Sequence, residues 1–521
     1  FFFFFISLFK TPFKVNVFLG MCMVVIYSLM TGLGASVIRA TCMLLFVLIG
    51  KLIDRDAHSI SLLSFVALLM LLYNPLFIND VGFQLSFIVT FGILVMSPII
   101  PIHKNKFVNF ILGTVFIPII AQLWVIPIQI FYFSNISLYS VFANIMSVPI
   151  LMVLSFGGFV SSLLCIIRPF ADFICMVFDF ILNPLLTILV NISDFWGTMP
   201  YSALQTTHPS VFQILLYYGI LLCITGILRK VRIITLLKTG AVLLGILLIT
   251  LIPIRNSNLE IMTFDVGNAD CFLIKTPKNE YIMIDTAKSG YNGGKSQAEM
   301  LILKYMKDRG IKNIDTIIVT HFDNDHCGGA VDMMRGVKVK HLYVNDLEHK
   351  SFAAENIYRT AHENNTEIIL AHNNQAVYDK SGLKLTNYVL ADGKDDNDNS
   401  ILTLLTYNNF SILFTGDAGI NSIKSTLTNI PRNITVLKVP HHGANGGIDK
   451  DLAKYLNPEY SVISVGENKF GHPALYTLRV LDNSAILRTD IHNAIKIVVN
   501  KRDYKVLAYD MKKRKFTKVN N

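Results

Sequence analysis

Long apolar runs dominate the first half of the chain, and most are long enough to enter a lipid bilayer. They cover about residues 15–32, 37–53, 60–73, 81–100, 107–133, 138–167, 170–192, 211–228 and 233–254. A bilayer core requires about 20 consecutive apolar residues in each helix. Because some runs are short and others long for one crossing, the sequence predicts seven to nine membrane-spanning helices.

Charged residues divide the chain near residues 253–260. Residues 1–255 contain 19 Asp, Glu, Lys and Arg residues, whereas residues 256–521 contain 63. Charged side chains are costly inside a membrane and ordinary on a soluble surface. We therefore expect an N-terminal polytopic α-helical membrane domain over residues 1–255 and a soluble domain over residues 256–521. The chain begins inside an apolar run with no initiator methionine, which favours a fragment that lacks its N-terminal segment.

A cationic turn predicts the orientation of the chain in the cytoplasmic membrane. Arg229, Lys230 and Arg232 separate the last two apolar runs. Short loops rich in Lys and Arg stay on the cytoplasmic side. One further crossing then carries the soluble domain to the outer face.

Polar side chains inside the apolar runs have two interpretations. They either line a path through the membrane or hydrogen-bond neighbouring helices, and both interpretations stay open from the residues alone. Nearby glycines and prolines, including those at positions 127 and 149, favour broken helices around a cavity. The candidates for lining a channel are Arg39, Asp80, Gln84 and Asn144.

The second half has the pattern of a mixed α/β domain. Strands are predicted at 259–264, 271–275, 280–284, 314–320, 384–390, 400–407, 410–415, 434–439 and 460–465, with a helix at 297–309. Asp285, His321, Asp417 and His441 follow four of these strands. Folds of this class place their sites at strand ends. The pattern therefore predicts a cluster whose ligands come from separate elements.

Residues 321–329, with the sequence HFDNDHCGG, carry the central signal for metal binding. Imidazole and carboxylate groups suit Zn²⁺, Mn²⁺ or Fe, and four of them on one tight loop can hold two adjacent ions. Such a pair generates hydroxide near neutral pH and stabilises charge on a phosphoryl or acyl oxygen. The sequence thus predicts a metal-dependent hydrolase. The predicted ligands are His321, Asp323, Asp325, His326, Asp417 as the bridge, and His441.

Further short motifs occur in order along both halves. The soluble half contains FDVGNAD at 264–270, HFDNDH at 321–326, NDNS at 397–400, FTGD at 414–417, LKVPHHG at 437–443, GHP at 471–473 and RTD at 488–490. The membrane half contains SVIRA at 36–40, NP at 74–75 and DVGFQLS at 80–86, followed by Asn144 and Pro149. Together they resemble the ComEC/Rec2 family of DNA-internalisation competence proteins. The resemblance implies a metallo-β-lactamase-like αββα sandwich attached to a competence membrane region.

The same resemblance implies a function in natural transformation. A channel would pass single-stranded DNA inward, and a fused nuclease would degrade the non-transported strand. Asp325 would act in catalysis, and Asp285 would orient a ligand. Lys438, His442 and His472 would contact phosphate or a leaving group. The implied partners are DNA, membrane lipid, a separate DNA receptor and a cytoplasmic ATP motor, since this sequence contains no GxxxxGK[ST] motif.

Departures from the family pattern bear on the metal. Asp323 stands where the wider fold often has histidine, and no equivalent of the third histidine motif is clear before Asp417, where Asn399 and Ser400 occur. Ala287 replaces a glycine of the family pattern. Harder ligands favour a harder ion, so two divalent ions, Mn²⁺ in preference to Zn²⁺, are expected.

Two other functions stay compatible with these residues. The fold supports many chemistries, so a membrane-tethered hydrolase of a small ester, lactam or lipid is one alternative. The other is a transporter whose metal domain is inert.

Overall fold

The computed structural model describes residues 12–55, 58–166, 168–252, 256–291, 294–389 and 395–519. It divides into two compact units, Phe1–Pro253 and Ile254–Asn521. The first is helical, and the second is built on two large β-sheets.

The first unit is a set of apolar helices. Eight of those in the described residues are long and apolar enough to cross a membrane, which agrees with the predicted seven to nine, and Ser59–Tyr73 is a shorter apolar helix. The helices are Phe13–Met30, Ala35–Leu52, Ser59–Tyr73, Val81–Met96, Lys106–Phe133, Ser140–Leu164, Ala171–Thr198, Val211–Leu228 and Ile233–Leu251. Short 3₁₀ turns occur at Pro75–Asn79, Ser97–Ile99 and Arg168–Phe170, and β1 (Asn135–Ser137) pairs with β2 (Ala203–Gln205).

The prediction of broken helices at the two prolines is wrong. Pro127 lies inside the continuous helix Lys106–Phe133, and Pro149 lies inside Ser140–Leu164. A proline removes only one helix hydrogen bond, and neighbouring groups in a membrane protein can satisfy the freed carbonyl.

Trp124 is the centre of one tightly packed region of this unit. Its side chain is buried, and a Cβ atom added to Gly92 would lie 2.3 Å from its Cγ atom. Tyr217 and Tyr218 on another helix donate hydrogen bonds to the carbonyl oxygens of Leu123 and Trp124, at 2.9 and 2.8 Å. Close backbone approach at a small residue and interhelical hydrogen bonds are the usual means of packing helices in a bilayer.

The second unit contains sixteen described strands. All nine predicted strands are present, and their ends agree with the prediction to within two residues. The strands are β3 (Leu259–Thr263), β4 (Phe272–Lys275), β5 (Tyr281–Ile284), β6 (Asn313–Ile318), β7 (Lys338–Val344), β8 (Glu367–Leu370), β9 (Gln375–Lys380), β10 (Leu383–Tyr388), β11 (Leu402–Tyr407), β12 (Phe410–Phe414), β13 (Val436–Lys438), β14 (Tyr460–Ile463), β15 (Ala485–Arg488), β16 (Ile495–Val499), β17 (Tyr504–Asp510) and β18 (Lys515–Lys518).

Short helices connect these strands. A π-helical turn, Ala298–Ile302, leads into Leu303–Asp308, which together match the predicted helix at 297–309. The others are Asn324–Cys327, Ala330–Gly336, Phe352–Glu363, Ile420–Thr426, Lys450–Leu456, Leu475–Val480 and Thr489–His492, with 3₁₀ turns at Leu427–Asn429 and Pro440–Gly443.

The strands form two sheets. The nine-stranded sheet has the order β18-β17-β16-β3-β4-β5-β6-β7-β8, and the seven-stranded sheet has the order β15-β14-β13-β12-β11-β10-β9. Strands β5 to β8 are parallel, as are β12 to β15. Parallel strands end at the same edge of a sheet, so the loops after β5, β6, β12 and β13 can bring polar residues together.

Three hydrophobic layers define the sandwich. The central layer joins both sheets, with the rings of Phe272 and Phe414 in edge contact at 5.0 Å. A second layer packs the nine-stranded sheet against helices through residues such as Met333 and Ile357. The third packs the seven-stranded sheet against helices through residues such as Leu452. This is the αββα sandwich that the family resemblance implies.

Candidate metal centre

Five loop segments of the second unit meet at the strand ends. Asp270 precedes β4, and Asp285 directly follows β5. The loop after β6 carries His321, Asp323, Asp325 and His326, the loop after β12 carries Asp417, and the turn after β13 carries His442. Four overlapping triads have ligand atoms within 4.8 Å of one another: His321–His326–Asp417, Asp325–His326–His442, Asp270–Asp417–His442 and Asp270–Asp285–His326.

Asp417 contacts side chains from two other loops of the cluster. Its Oδ1 atom lies 3.2 Å from Nε2 of His326, and its Oδ2 atom lies 3.6 Å from Nε2 of His442. The Nε2 atom of His442 also lies 3.5 Å from Oδ2 of Asp325. Asp417 therefore stands between the HFDNDH loop and the turn after β13, the position predicted for a bridging carboxylate.

Hydrogen bonds at Nδ1 orient all three buried imidazoles. His326 contacts Oδ2 of Asp285 at 2.7 Å, and His442 donates to the carbonyl oxygen of Ser464 at 2.8 Å. His321 contacts the hydroxyl groups of Thr320 and Ser400, both at 3.2 Å. Engaging Nδ1 in this way leaves Nε2 of each ring available as a ligand atom.

The Nε2 atoms fit a divalent metal. Those of His321, His326 and His442 are buried, and none has a hydrogen-bond partner among the residues that the structure describes. Buried polar atoms are nearly always paired, so three adjacent exceptions call for a partner that the protein itself does not supply. Imidazole nitrogen together with carboxylate oxygen is the donor set of Zn²⁺, Mn²⁺ and Fe sites.

The carboxylates of Asp325 and Asp417 are ionised. Burial raises the pKa of Asp325, but attraction to His442 and His326 is larger in sum and lowers it to about 2. Burial likewise opposes ionisation of Asp417, yet His326, His442 and Lys438 hold its pKa well below the usual value. Both side chains are therefore carboxylates at neutral pH, the form that binds a metal.

Lys438 lies beneath the cluster. Its side chain is 1% exposed, its Nζ atom pairs with Oδ2 of Asp270, and it donates to the carbonyl oxygen of Gly416 at 2.6 Å. Burial lowers the pKa of Lys438, but Asp270 and Asp417 raise it further, so the ammonium stays charged. The expected contact between Lys438 and substrate phosphate does not fit this position, because the ammonium is enclosed and already paired.

Two adjacent histidines differ in burial and in their contacts. His442 is 1% exposed and belongs to the cluster, whereas the side chain of His441 is 40% exposed with its Nε2 atom 3.7 Å from Oδ2 of Asp417. His441 thus stands at the rim, and His442, in place of the predicted His441, belongs to the buried triads.

The other predicted residues lie around the same cluster. Asp323 is half exposed, with its Oδ2 atom 3.5 Å from Nε2 of His321, and the nearby imidazole lowers the pKa of Asp323. His472 is partly buried beside His441, with ring centroids 5.8 Å apart. Asp285 contacts His326 as an orienting carboxylate, which is the role that the resemblance implies for it.

Two members of the site were missed by sequence reasoning. Asp270 is fully buried and belongs to two of the triads, but it was not assigned to the cluster although it ends the FDVGNAD motif. Ser400 contacts Nδ1 of His321 and accepts a hydrogen bond from the backbone N of Asp417 at 3.3 Å. Ser400 lies in the part of the sequence where the wider fold has its third histidine motif.

Close backbone packing positions the HFDNDH loop. A Cβ atom on Gly329 would lie 2.3 Å from the carbonyl oxygen of Thr286, and one on Gly328 would lie 2.2 Å from the backbone N of Ser289. Ala287 adopts a left-handed φ of 60° between these contacts. A glycine, which the family pattern has here, adopts that conformation without strain.

The polar candidates of the membrane unit make local bonds. Arg39 donates from Nε to Oγ of Ser86 at 2.5 Å, and Gln84 donates to the carbonyl oxygen of Ile78 at 2.7 Å. Asp80 accepts from the backbone N of Phe83 at 2.7 Å and so caps the helix Val81–Met96. Asn144 is exposed on its helix. Three of the four candidates for lining a channel therefore make hydrogen bonds within the membrane unit.

Two family models match the chain. The model described as "Competence protein" matches residues 1–231, and the model of the metallo-beta-lactamase superfamily matches residues 264–467. The second fold implies divalent-metal binding, in agreement with the donor set described above. The match to the competence model agrees with the apolar helices of the first unit, which are typical of a membrane protein.

Relatives match across the junction of both units. ComE operon protein 3 of Bacillus subtilis is 26% identical over 90% of this chain and 62% of the relative. Recombination protein 2 of Haemophilus influenzae is 24% identical over 95% of this chain and 64% of the relative. The chain thus spans a little less than two thirds of the length of these relatives.

The soluble unit is also similar to solved structures. A metallo-β-lactamase from Cronobacter sakazakii aligns with 34% of this chain and 76% of its own, at 13% identity and a TM-score of 0.25. The two family models match in the same order as the motifs of the two halves, and both relatives match across both units. The chain therefore belongs to the ComEC/Rec2 family of competence proteins, with its competence region first and its metallo-β-lactamase region second.

Proposed function

We propose that the soluble unit is a metal-dependent nuclease and that the membrane unit forms a channel for single-stranded DNA. The observation that carries the nuclease proposal is the set of three buried, unpaired Nε2 atoms facing the carboxylates of Asp325 and Asp417. Two divalent ions at such a set would supply a nucleophilic hydroxide and neutralise charge on a phosphodiester. We propose Mn²⁺ or Zn²⁺ for these ions.

We assign ion binding to one set of residues and orientation of the imidazole ligands to another. His321, His326, His442, Asp325 and Asp417 would bind the ions, with Asp323 and His441 at the open side as further ligands. Asp285 fixes the ring of His326, and Ser464 fixes that of His442. Because these partners are buried, the ligands are held in place before substrate arrives, which reduces reorganisation during reaction.

The open side of the cluster is the side on which we propose that DNA binds. His441 is partly exposed there, with His472 beside it. Imidazole groups at this rim can donate a hydrogen bond to a phosphate oxygen or give a proton to a leaving alkoxide. Lys438 has no such access and instead compensates the buried charge of Asp270.

Support for DNA as the substrate comes from the competence family. A protein of DNA uptake meets a duplex and admits one strand, so a nuclease beside the channel would remove the other. In the membrane unit, Arg39, Asp80, Gln84 and Asn144 are the proposed lining residues, since polar groups in apolar spans commonly mark a path.

The proposed location of the soluble unit is the outer face of the cytoplasmic membrane. Incoming DNA reaches that face first, and the cationic turn at Arg229, Lys230 and Arg232 favours it by the distribution of positive charge. A separate DNA receptor and a cytoplasmic ATP motor would complete the uptake system.

The test is metal-stimulated hydrolysis of DNA by the purified full chain in detergent. We expect Mn²⁺ or Zn²⁺ to restore cleavage of a labelled oligonucleotide after EDTA treatment, and Asp325→Ala to abolish it. Asp482→Ala, at an exposed position, is the control.

Three outcomes would contradict the nuclease proposal. Cleavage that is equal in Asp325→Ala and the parent would assign it to a contaminant. Faster turnover of a small ester or lactam than of DNA would favour a hydrolase of small molecules. A chain that retains no divalent ion would favour a transporter with an inert domain.

A further inference from the structure

Phe470 is an exposed aromatic residue in a turn that its neighbours hold in place. Its side chain is 75% exposed. The backbone N atoms of Phe470 and His472 both donate to Oδ1 of Asn468, at 3.1 and 3.0 Å, and Nδ2 of Asn468 donates to the carbonyl oxygen of His472 at 2.9 Å. One asparagine side chain thus closes the turn, and a large apolar ring is held in solvent by a well-bonded backbone.

The exposed ring is the outer end of a row of rings that leads to the metal-binding residues. Phe470 and His472 are stacked, with centroids 5.7 Å apart and planes at 19°. His472 contacts His441 with centroids 5.8 Å apart, and Nε2 of His441 lies 3.7 Å from Oδ2 of Asp417. The outer face of Phe470 is therefore two rings away from the proposed site of cleavage.

The chemistry around this ring suits a nucleotide. A flat, exposed aromatic face can accept any base by stacking, whatever its hydrogen-bonding edge. Lys469 is exposed at the adjacent position and offers a charge for the phosphate that is attached to such a base. An exposed aromatic ring and a cation on one turn offer the two kinds of contact, base stacking and phosphate attraction, by which proteins bind unpaired strands.

We propose that Phe470 is a stacking subsite for an unpaired nucleobase of the strand whose backbone lies at the metal centre. The proposal rests on DNA being the substrate of that centre. A base inside a duplex has both faces covered by its neighbours, so only a base in a single strand or at a frayed end can stack on Phe470. The subsite therefore selects unpaired strand over duplex.

Binding of two matched oligonucleotides to the full chain in detergent tests this subsite. The first is a single strand with normal bases, and the second has the same sugar–phosphate backbone with abasic positions. Both are measured by fluorescence anisotropy in EDTA, so that no cleavage occurs. The protein should prefer the normal strand, and Phe470→Ala should reduce that preference about tenfold.

Two further variants separate stacking from fold. Phe470→Trp keeps a large aromatic face and should retain the preference. Phe352→Ala removes another highly exposed phenylalanine, 82% exposed at the start of the helix Phe352–Glu363, and should leave the preference unchanged. A Phe470→Ala chain whose preference equals that of the parent would overturn the proposal, as would equal losses in affinity for the normal and the abasic strand.

The outcome is distinguishable from failure of the proposed nuclease. A parent chain that prefers the normal strand through Phe470 but cleaves no DNA with Mn²⁺ or Zn²⁺ would support the stacking subsite and contradict the nuclease. A chain that cleaves DNA with no dependence on Phe470 in binding would do the reverse.

Discussion

The Oδ2 atom of Asp285 lies 2.7 Å from Nδ1 of His326, and the same carboxylate accepts hydrogen bonds from the backbone N and Oγ1 of Thr320 at 2.8 and 2.9 Å. Asp285 follows β5, and the other two residues follow β6, its parallel neighbour. One buried carboxylate thus ties two strand ends together and fixes the ring that contacts Asp417 through Nε2.

Replacing this carboxylate by its amide should weaken metal binding without unfolding the domain. Asp285→Asn keeps the size of the side chain, and asparagine tolerates the left-handed φ of 56° at this position. It loses the negative charge that makes His326 a stronger ligand, so metal affinity should fall about tenfold to 100-fold. Competition with a chromogenic chelator measures the affinity of the full chain.

The matched control for this prediction is Asp482→Asn, which makes the same chemical change at an exposed position. Its metal affinity should equal that of the parent. An unchanged affinity in Asp285→Asn would contradict the orienting role of Asp285, whereas a lower thermal midpoint of the metal-free form would indicate that Asp285 acts mainly in folding.

The sequence predicted the framework of the site because local pattern determines it. Apolar strands that end in Asp285, His321 and Asp417 are visible as short hydrophobic runs followed by polar residues, and parallel strands bring such ends to one edge. The helical spans followed in the same way from the length of apolar runs. Strands β7 to β9 and β15 to β18 have no counterpart among the nine predicted strands. The partner of β16 is β3, more than 200 residues earlier, and such a pairing has no local signal.

The choice between His441 and His442 could not be predicted from sequence. Both residues adopt left-handed φ values, 50° and 52°, in the turn after β13. This conformation reverses the chain within two residues, so the side chain of His442 returns to the cluster while that of His441 points to the rim. Asp270 was missed for a related reason: its burial beside Lys438 depends on contacts between the two sheets.

Two alanine variants should therefore differ in metal content. His442→Ala removes a proposed ligand atom that is buried. It should weaken metal binding by more than about 100-fold, the upper end of the range expected for loss of an orienting partner. His441→Ala acts at the partly exposed rim and should retain more metal than His442→Ala. Elemental analysis of both purified chains after dialysis against Mn²⁺ or Zn²⁺ gives the comparison. Equal metal loss in the two variants would contradict the assignment of His442 as the inner ligand.

Lys438 and Asp270 should depend on each other for stability. Lys438→Met leaves a buried carboxylate without its cation and should destabilise the metal-free domain by about 3–5 kcal/mol. Adding Asp270→Asn removes that unpaired charge, so the double variant should recover much of the loss. Pulse proteolysis in increasing urea, with EDTA present, measures the stability of the soluble unit within the full chain.

The control for this pair is Lys424→Met, which removes the lysine of a more exposed ion pair with Asp449 at 2.5 Å. Such pairs contribute about 0–1 kcal/mol, so its effect should be small. If Lys438→Met were no more destabilising than Lys424→Met, Lys438 would not be the compensating charge for Asp270.

The last prediction concerns the orientation of the chain in the membrane. The turn at residues 229–232 joins the apolar helices Val211–Leu228 and Ile233–Leu251, and its three cations are exposed. If this turn is cytoplasmic, trypsin added to intact spheroplasts should digest the soluble unit and leave the turn uncut.

Neutralising all three cations of the turn to glutamine should lower the fraction of correctly oriented chains. The same change at Lys512, Lys513 and Arg514, in the turn between β17 and β18, should have no effect on orientation. Protection of the soluble unit in intact spheroplasts, with digestion only after lysis, would place it in the cytoplasm and contradict an encounter with DNA before the channel.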